Sequence, residues 1–267
     1  MYYIGIDCGT QGTKAIVFDA SAGTVIGKGY EKHPIISDDS GKREQKTQWW
    51  VDAMFAAIED ALQAAAIDRS LVRAIAISGQ QHGLVVLDEN KEVIRDVKLW
   101  NDTSTADDNE EIIRDAGGNE AVWHAIHTTL PVGYTASKIR YLINHEPELY
   151  ARTRYVLLPH DYLNYILTGE IVTESSEASG TGYYDVQARA YSKKMLETID
   201  PSNSLADKVP PLIAWETPVG TITEEVATKL GLSVDVLVAA GGGDNTMSAL
   251  GTGTIIEGAC SLSLGTS

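Results

Sequence analysis

The apolar positions at the start of the chain fall into short β-branched or aromatic blocks. Tyr2–Ile6 and Thr13–Phe18 are separated by a turn rich in Gly and Thr, and Thr24–Tyr30 follows a second turn at Asp19–Gly23. Such blocks predict three strands, and tight turns between them make an antiparallel meander. From Trp49 to Ala65 the period changes. Trp50, Met54, Ala57, Ile58, Ala61, Leu62 and Ala65 recur at three- and four-residue steps, which is one face of a helix. Arg73–Ser78 then reads as a buried strand.

Further on, the pattern predicts helices over Asp107–Ala116 (ended by Gly117-Gly118), Asn119–His127, Thr135–Asn144, His160–Leu167 and Ile222–Leu230. Short strands are expected at Tyr155–Leu158 and Val234–Ala240. Ser37–Lys46 reads as a polar segment leading into the helix, Ser175–Asp185 as a loop, and Pro201–Thr217 as irregular chain. The order β-β-β-α-β is, by analogy, that of the ribonuclease H-like half-domain of actin, the 70-kDa heat-shock chaperones and sugar kinases: an α/β fold whose mixed sheet is flanked by helices.

Composition narrows the function. With 43% apolar and 22% charged residues the chain is an ordinary globular sequence, and its formal net charge of −16 argues against a nucleic-acid role. An anionic substrate would need local donors and a metal ion to offset that field. Cys8 and Cys260 both lie in apolar, strand-like segments and are expected to be buried free thiols of a reducing compartment. No apolar run approaches membrane-spanning length, and no basic stretch precedes an apolar one at the N-terminus; a cytoplasmic protein with no membrane partner is expected.

Three apolar strands run into polar, glycine-bearing turns. After the first, Asp7 stands beside a turn in which Gly9 and Gly12 let amides converge and Thr10 and Thr13 add hydroxyls, as suits a phosphate, with Asp7 placed to hold Mg²⁺; an ordinary β-hairpin is the alternative. After the second, Gln81 and His82 can each donate to and accept from a hydroxyl, as polyol recognition requires, or form a plain polar turn. After the third, Gly241-Gly242-Gly243 leads to Asp244, which reads as a base or an N-cap, and Asn245 could cap the helix beginning there. Trp100, Asn101 and Asp102 offer a stacking wall and polar groups for a sugar; equally, Trp100 could be core and Asp102 the cap of the next helix. His124 and His127 lie one turn apart without a third ligand, a weak metal motif.

Taken in order, Ile4–Lys14, Ser78–Gly83, Leu99–Asp102, Leu157–Leu163 and Gly241–Asn245 resemble the motifs of the FGGY carbohydrate kinases, and the likeness extends over essentially all 267 residues. The resemblance implies ATP-dependent phosphorylation of a ketopentose, D-xylulose to D-xylulose 5-phosphate, with ribulose, gluconate or a non-catalytic sugar-binding role as alternatives. It implies ATP and Mg²⁺ as cofactors, a small sugar as partner and room for a homodimer. It assigns Asp7 to Mg²⁺; Gly9, Thr10, Gln11, Thr13 and Lys14 to a first phosphate turn; and Gly265, Thr266 and Ser267 to a second. Gln81, His82, Trp100, Asn101, Asp102 and Asn245 fall to the sugar, and Asp244 to the base. Tyr141 stands where the family usually has Trp, and Cys8 where Leu or Ile is commoner. The implied organisation is a sugar-binding domain over 1–250 and, over 251–267, the start of a truncated nucleotide-binding domain, so that this stretch alone would turn over ATP negligibly.

Overall fold

The computed structural model describes residues 1–262. β1 (Tyr2–Cys8), β2 (Gly12–Asp19) and β3 (Thr24–Lys32) form the antiparallel meander, with Asp7 opposite Lys14 and Cys8 opposite Thr13. Strand alternation decides what goes inside: Ile4, Ile6 and Cys8 on β1 and Ala15 and Val17 on β2 are buried in one core with α1 (Thr47–Ala65). The helix contributes Trp50, Met54, Ala57, Ile58, Ala61 and Leu62, the period-3.6 face seen in the sequence. At about 1.5–3 kcal/mol for each fully buried large side chain, this face supplies much of the lobe's cohesion.

β4 (Val72–Gly79) returns parallel to β1, as a crossover through a helix allows. On its far side lie β5 (Gly220–Thr221), β6 (Leu237–Val238) and β7 (Gly242–Gly243). The sheet order is β5-β6-β4-β1-β2-β3, with β7 also pairing parallel to β4, so the sheet is mixed and of the ribonuclease H-like type. Between β4 and β5 the chain builds a second lobe with its own core. There α2 (Ala106–Ala116), α3 (Thr135–His145) and two further helices at Asn119–Ile126 and Lys193–Ile199 pack around Ile112, Ile126, Ile139, Leu142 and Met195. α4 (Pro159–Thr168) turns back to the first core through Leu163 and Leu167, followed by α5 (Ser175–Ala178), α6 (Glu224–Leu230) and α7 (Asp244–Gly251).

Several expectations give way to tertiary context. Ser175–Asp185 is not simply a loop: it opens with α5 and closes in a strand at Tyr184–Asp185 paired with Ala190–Tyr191. Ser37–Lys46 joins a small ribbon in which Arg43–Gln45 pairs with Val97–Lys98. The strand expected over Val234–Ala240 shrinks to Leu237–Val238, because Gly241 adopts a φ of 70° and pairing resumes only at β7. Cys8 is buried, but Cys260 is exposed and in no strand. Its neighbours Ile255, Ile256 and Leu262 are exposed too, since no sheet edge runs beside them among the described residues. The second phosphate turn expected at Gly265, Thr266 and Ser267 lies outside the described residues.

Candidate functional site

Parallel register brings three strand ends level. Asp7 pairs with Ser78 and Ser78 with Gly242; one step on, Cys8 pairs with Gly79 and Gly79 with Gly243. Gly9-Thr10 beyond β1, Gln80-Gln81-His82 beyond β4 and Asp244 beyond β7 therefore emerge along one edge of the sheet. That edge is the carboxyl end of parallel strands, where ligands of open α/β sheets bind.

The Asp7 side chain is 44% exposed, 3.9 Å from Lys14 Nζ, and accepts a long hydrogen bond of 3.4 Å from Ser78 Oγ. The turn closes when Gly9 N–H donates to the Gly12 carbonyl at 3.1 Å. Thr10 is held at both ends: Gln45 Nε2 donates to its carbonyl at 2.8 Å and Trp100 Nε1 to its hydroxyl at 2.9 Å. Gln11 and Lys14 are exposed beside it. Thr13 differs from expectation. It is wholly buried on the core side of β2, with Ala15 and Val17, so its hydroxyl does not line the turn. Among the described residues no group of three or more His, Cys, Asp or Glu could hold a metal. A single half-exposed carboxylate still suits Mg²⁺, which keeps most of its water and takes phosphate oxygens.

On the sugar side, Gln80 and Gln45 are buried and bonded to each other, Gln80 Nε2 donating to Gln45 Oε1 at 3.0 Å. Gln45 Oε1 also accepts from Trp50 Nε1 at 2.9 Å. Sequence reading missed Gln45, which ties α1, the Thr10 turn and the end of β4 together; a lone polar residue before a helix carries no signal of that. Gln81 Nε2 donates to the Ser176 carbonyl at 3.3 Å. His82 has a φ of 65°, and Gly83 N–H donates across it to the Gln81 carbonyl at 2.9 Å. A non-glycine residue in this tight three-residue turn is strained. Its ring stacks on Tyr134 with centroids 4.7 Å apart, and its Nδ1 is buried without a hydrogen-bond partner. Burial, and then the Lys138 charge, pull His82 down to about 4. At neutral pH the ring is uncharged, with one nitrogen to donate and one to accept.

Trp100 is not core; it is 38% exposed. Asn101 leaves its Oδ1 unpartnered. Asp102 departs from both of its expected roles. It is fully buried, accepts from Arg43 N–H at 2.8 Å, Ser104 N–H at 3.0 Å and Ser104 Oγ at 2.6 Å, and pairs with Lys98 Nζ at 3.4 Å. Its lone pairs are spent on shaping the Trp100 loop, and Thr105, not Asp102, precedes α2.

Asp244 is the first residue of α7, with Gly243 at the N-cap, so Asn245 does not cap the helix; Asn245 is exposed, its N–H 2.7 Å from Asp244 Oδ1. Burial, with a smaller push from Asp7, holds the Asp244 carboxyl above the usual carboxylate range. Such a group accepts a proton more readily than an ordinary aspartate. Behind it lies a segment that carries no sequence motif. Ser176 Oγ accepts from Gly243 N–H at 3.4 Å, while Glu174 caps α5 by accepting from Ser176 and Glu177 N–H. Glu177 is wholly buried with neither carboxyl oxygen bonded. Burial, and then Asp161, Glu174 and Asp244, push it well above the ordinary value, favouring the protonated form. His127 pairs instead with Asp185 at 2.9 Å, away from this edge.

A ribonuclease H-like sheet thus carries a glycine turn with Asp7, a polar Gln81-His82 turn and Asp244 at its strand ends. Residues 2–251 match the FGGY family of carbohydrate kinases, N-terminal domain, and the chain belongs to that family. It is 46% identical to the xylulose kinase of Haemophilus influenzae over 99% of its length and 55% of the relative's. It is 36% identical to the xylulose kinase of Escherichia coli over 99% of its length and 53% of that protein. Among solved structures, a xyloylose kinase from Brucella ovis superposes with a TM-score of 0.89 at 33% identity, covering 97% of this chain and 52% of the other. The chain thus spans about half the length of the relatives it matches.

Proposed function

We propose that this chain forms the sugar-binding half of an ATP-dependent ketopentose kinase acting on D-xylulose. The observation that carries the reading is the shared row of strand ends, which sets Asp7, the Gln81-His82 turn and Asp244 along one edge. The xylulose kinases among its relatives supply the choice of sugar. A cytoplasmic place in pentose catabolism fits two unpaired cysteines.

In this reading Gln81, neutral His82 and Asn101 hold the sugar hydroxyls, and Trp100 walls one side. Asp244 orients the attacked hydroxyl, C5–OH in D-xylulose, and takes its proton as the oxygen bonds to the γ-phosphorus and the bridge to ADP breaks. Gly9, Thr10 and Lys14 receive the phosphates. Asp7 would hold Mg²⁺, which when bound would supply positive charge beside the transferred group. Positioning and charge neutralisation supply most of the rate in such a loose transition state.

Isothermal titration of this chain with D-xylulose, D-ribulose and D-gluconate, with and without Mg-ATP, tests the reading. Heat selective for D-xylulose is expected. Preference for another of the three, or silence with all, overturns the assignment of the sugar site.

A further inference from the structure

The turn at His82 is strained, and strain of that kind persists only where the surroundings enforce it. Three contacts do so: the Tyr134 ring stacks on the imidazole, Thr135 Oγ1 donates to the His82 carbonyl at 3.2 Å, and Gly180 packs so closely that a Cβ there would overlap the ring. The Trp100 loop meets the same wall. Gly133 lies so near the Trp100 carbonyl that a Cβ would collide with it. Both candidate sugar-contacting elements therefore rest on one short stretch, Gly133-Tyr134-Thr135.

That stretch is gripped from beneath by Lys138, one turn into α3 and wholly buried. Its ammonium donates to the Gly133 carbonyl and, at 3.2 Å, to the Tyr134 carbonyl. Ser137 Oγ shares its one proton between the Val132 and Tyr134 carbonyls, at 2.6 and 2.8 Å. Burying a lysine whose hydrogen bonds go to carbonyls rather than carboxylates is costly, and a purely structural position would be filled more stably by Met or Leu. Burial pulls its ammonium down to about 7, with Asp102 opposing and Lys98 adding to the fall. Two carbonyls are also what the two N–H bonds of a neutral amine can satisfy, so the grip survives loss of the charge.

We propose that Lys138 is a positioning residue of the sugar site: by holding the Gly133 and Tyr134 carbonyls it fixes the wall against which the strained His82 turn and the Trp100 loop are set. The inference rests on the sugar-site reading above and gives Lys138 no contact with substrate. Lys138→Met keeps the shape and removes the donors, whereas Lys138→Gln keeps two donors and removes the charge.

The test uses the whole 267-residue chain. In Lys138→Met, D-xylulose affinity should fall about tenfold, as expected for two lost hydrogen bonds, with Mg-ATP affinity unchanged. Lys138→Gln should restore most of it. The ring-current shift that Tyr134 imposes on the His82 imidazole protons, read by NMR, should vanish in Lys138→Met and return in Lys138→Gln. Unchanged affinity and an unchanged His82 signal in folded Lys138→Met overturn the proposal, as does equal damage in both variants. If Lys138→Met does not fold, Tyr134→Ala removes the stack without touching the lysine; wild-type sugar affinity in that variant is equally fatal. Should the wild-type chain bind no sugar, the functional reading fails and the His82 signal alone decides the role of Lys138.

Discussion

Trp100 Nε1 donates to Thr10 Oγ1 at 2.9 Å, joining a candidate sugar wall to a candidate phosphate turn across 90 residues of sequence. A single bond between the two sides of the cleft gives each ligand a way to sense the other. Trp100→Phe keeps an aromatic ring and removes the donor; Thr10→Val removes the acceptor. Each should reduce the mutual tightening of D-xylulose and Mg-ATP binding by about fivefold, the worth of one hydrogen bond. The double variant should do no more than either single one. Calorimetric titration of each ligand in the presence of the other measures this, and additive losses would separate the two residues.

In this chain Asp244→Asn should leave D-xylulose affinity within about threefold, and in a chain extended to its relatives' full length it should slow phosphoryl transfer by roughly 10²–10⁴, the usual worth of a general base. Because burial raises the Asp244 carboxyl, the acid limb of the rate profile should lie above that of an ordinary aspartate, activity being lost as pH falls and the base is protonated. ADP release followed across pH reads both effects.

Glu177 holds its proton more tightly in the folded protein than in the unfolded chain, since burial and three neighbouring carboxyls push it up. Its protonated form therefore favours the fold at low pH, and that advantage is lost as pH climbs above the ordinary carboxylate value toward the folded one. Glu177→Gln keeps a neutral group of the same shape. Denaturant melts at several pH values should show the variant gaining on the wild type as pH rises; parallel curves would contradict a buried, protonated Glu177.

Asp102→Ala should destabilise the protein by about 3 kcal/mol, because it strips a buried carboxylate from Lys98 and leaves the Arg43 and Ser104 amides unpaired. Urea melts check the magnitude. Loss of sugar binding without loss of stability would instead return Asp102 to the ligand.

The repeating patterns were legible where a physical period is local. Apolar blocks in β1, β2 and β4 and the 3.6-residue face of α1 reflect strand and helix geometry that needs no partner to be read. The turn glycines and the polar residues at each strand end were legible for the same reason. Asp102, Thr13 and Cys260 were misjudged because residue type says nothing about which face a neighbour will cover. Asp102 found Lys98 and Arg43, Thr13 fell on the inner face of β2, and Cys260 found no sheet to join.

By itself the sequence determined the strands β1, β2, β3 and β4, the helix α1 and the polar groups that stand at the strand ends, but not the extent of β6 or the elements inside Ser37–Lys46 and Ser175–Asp185. Only the tertiary structure decided that these ends form one edge, because the parallel register of β1, β4 and β7 is a long-range pairing between residues more than 60 apart in the chain. It alone brought Gln45, Lys138 and Glu177 behind that edge. A buried polar residue is chosen for partners that only folding supplies, and nothing in its neighbours along the chain announces them.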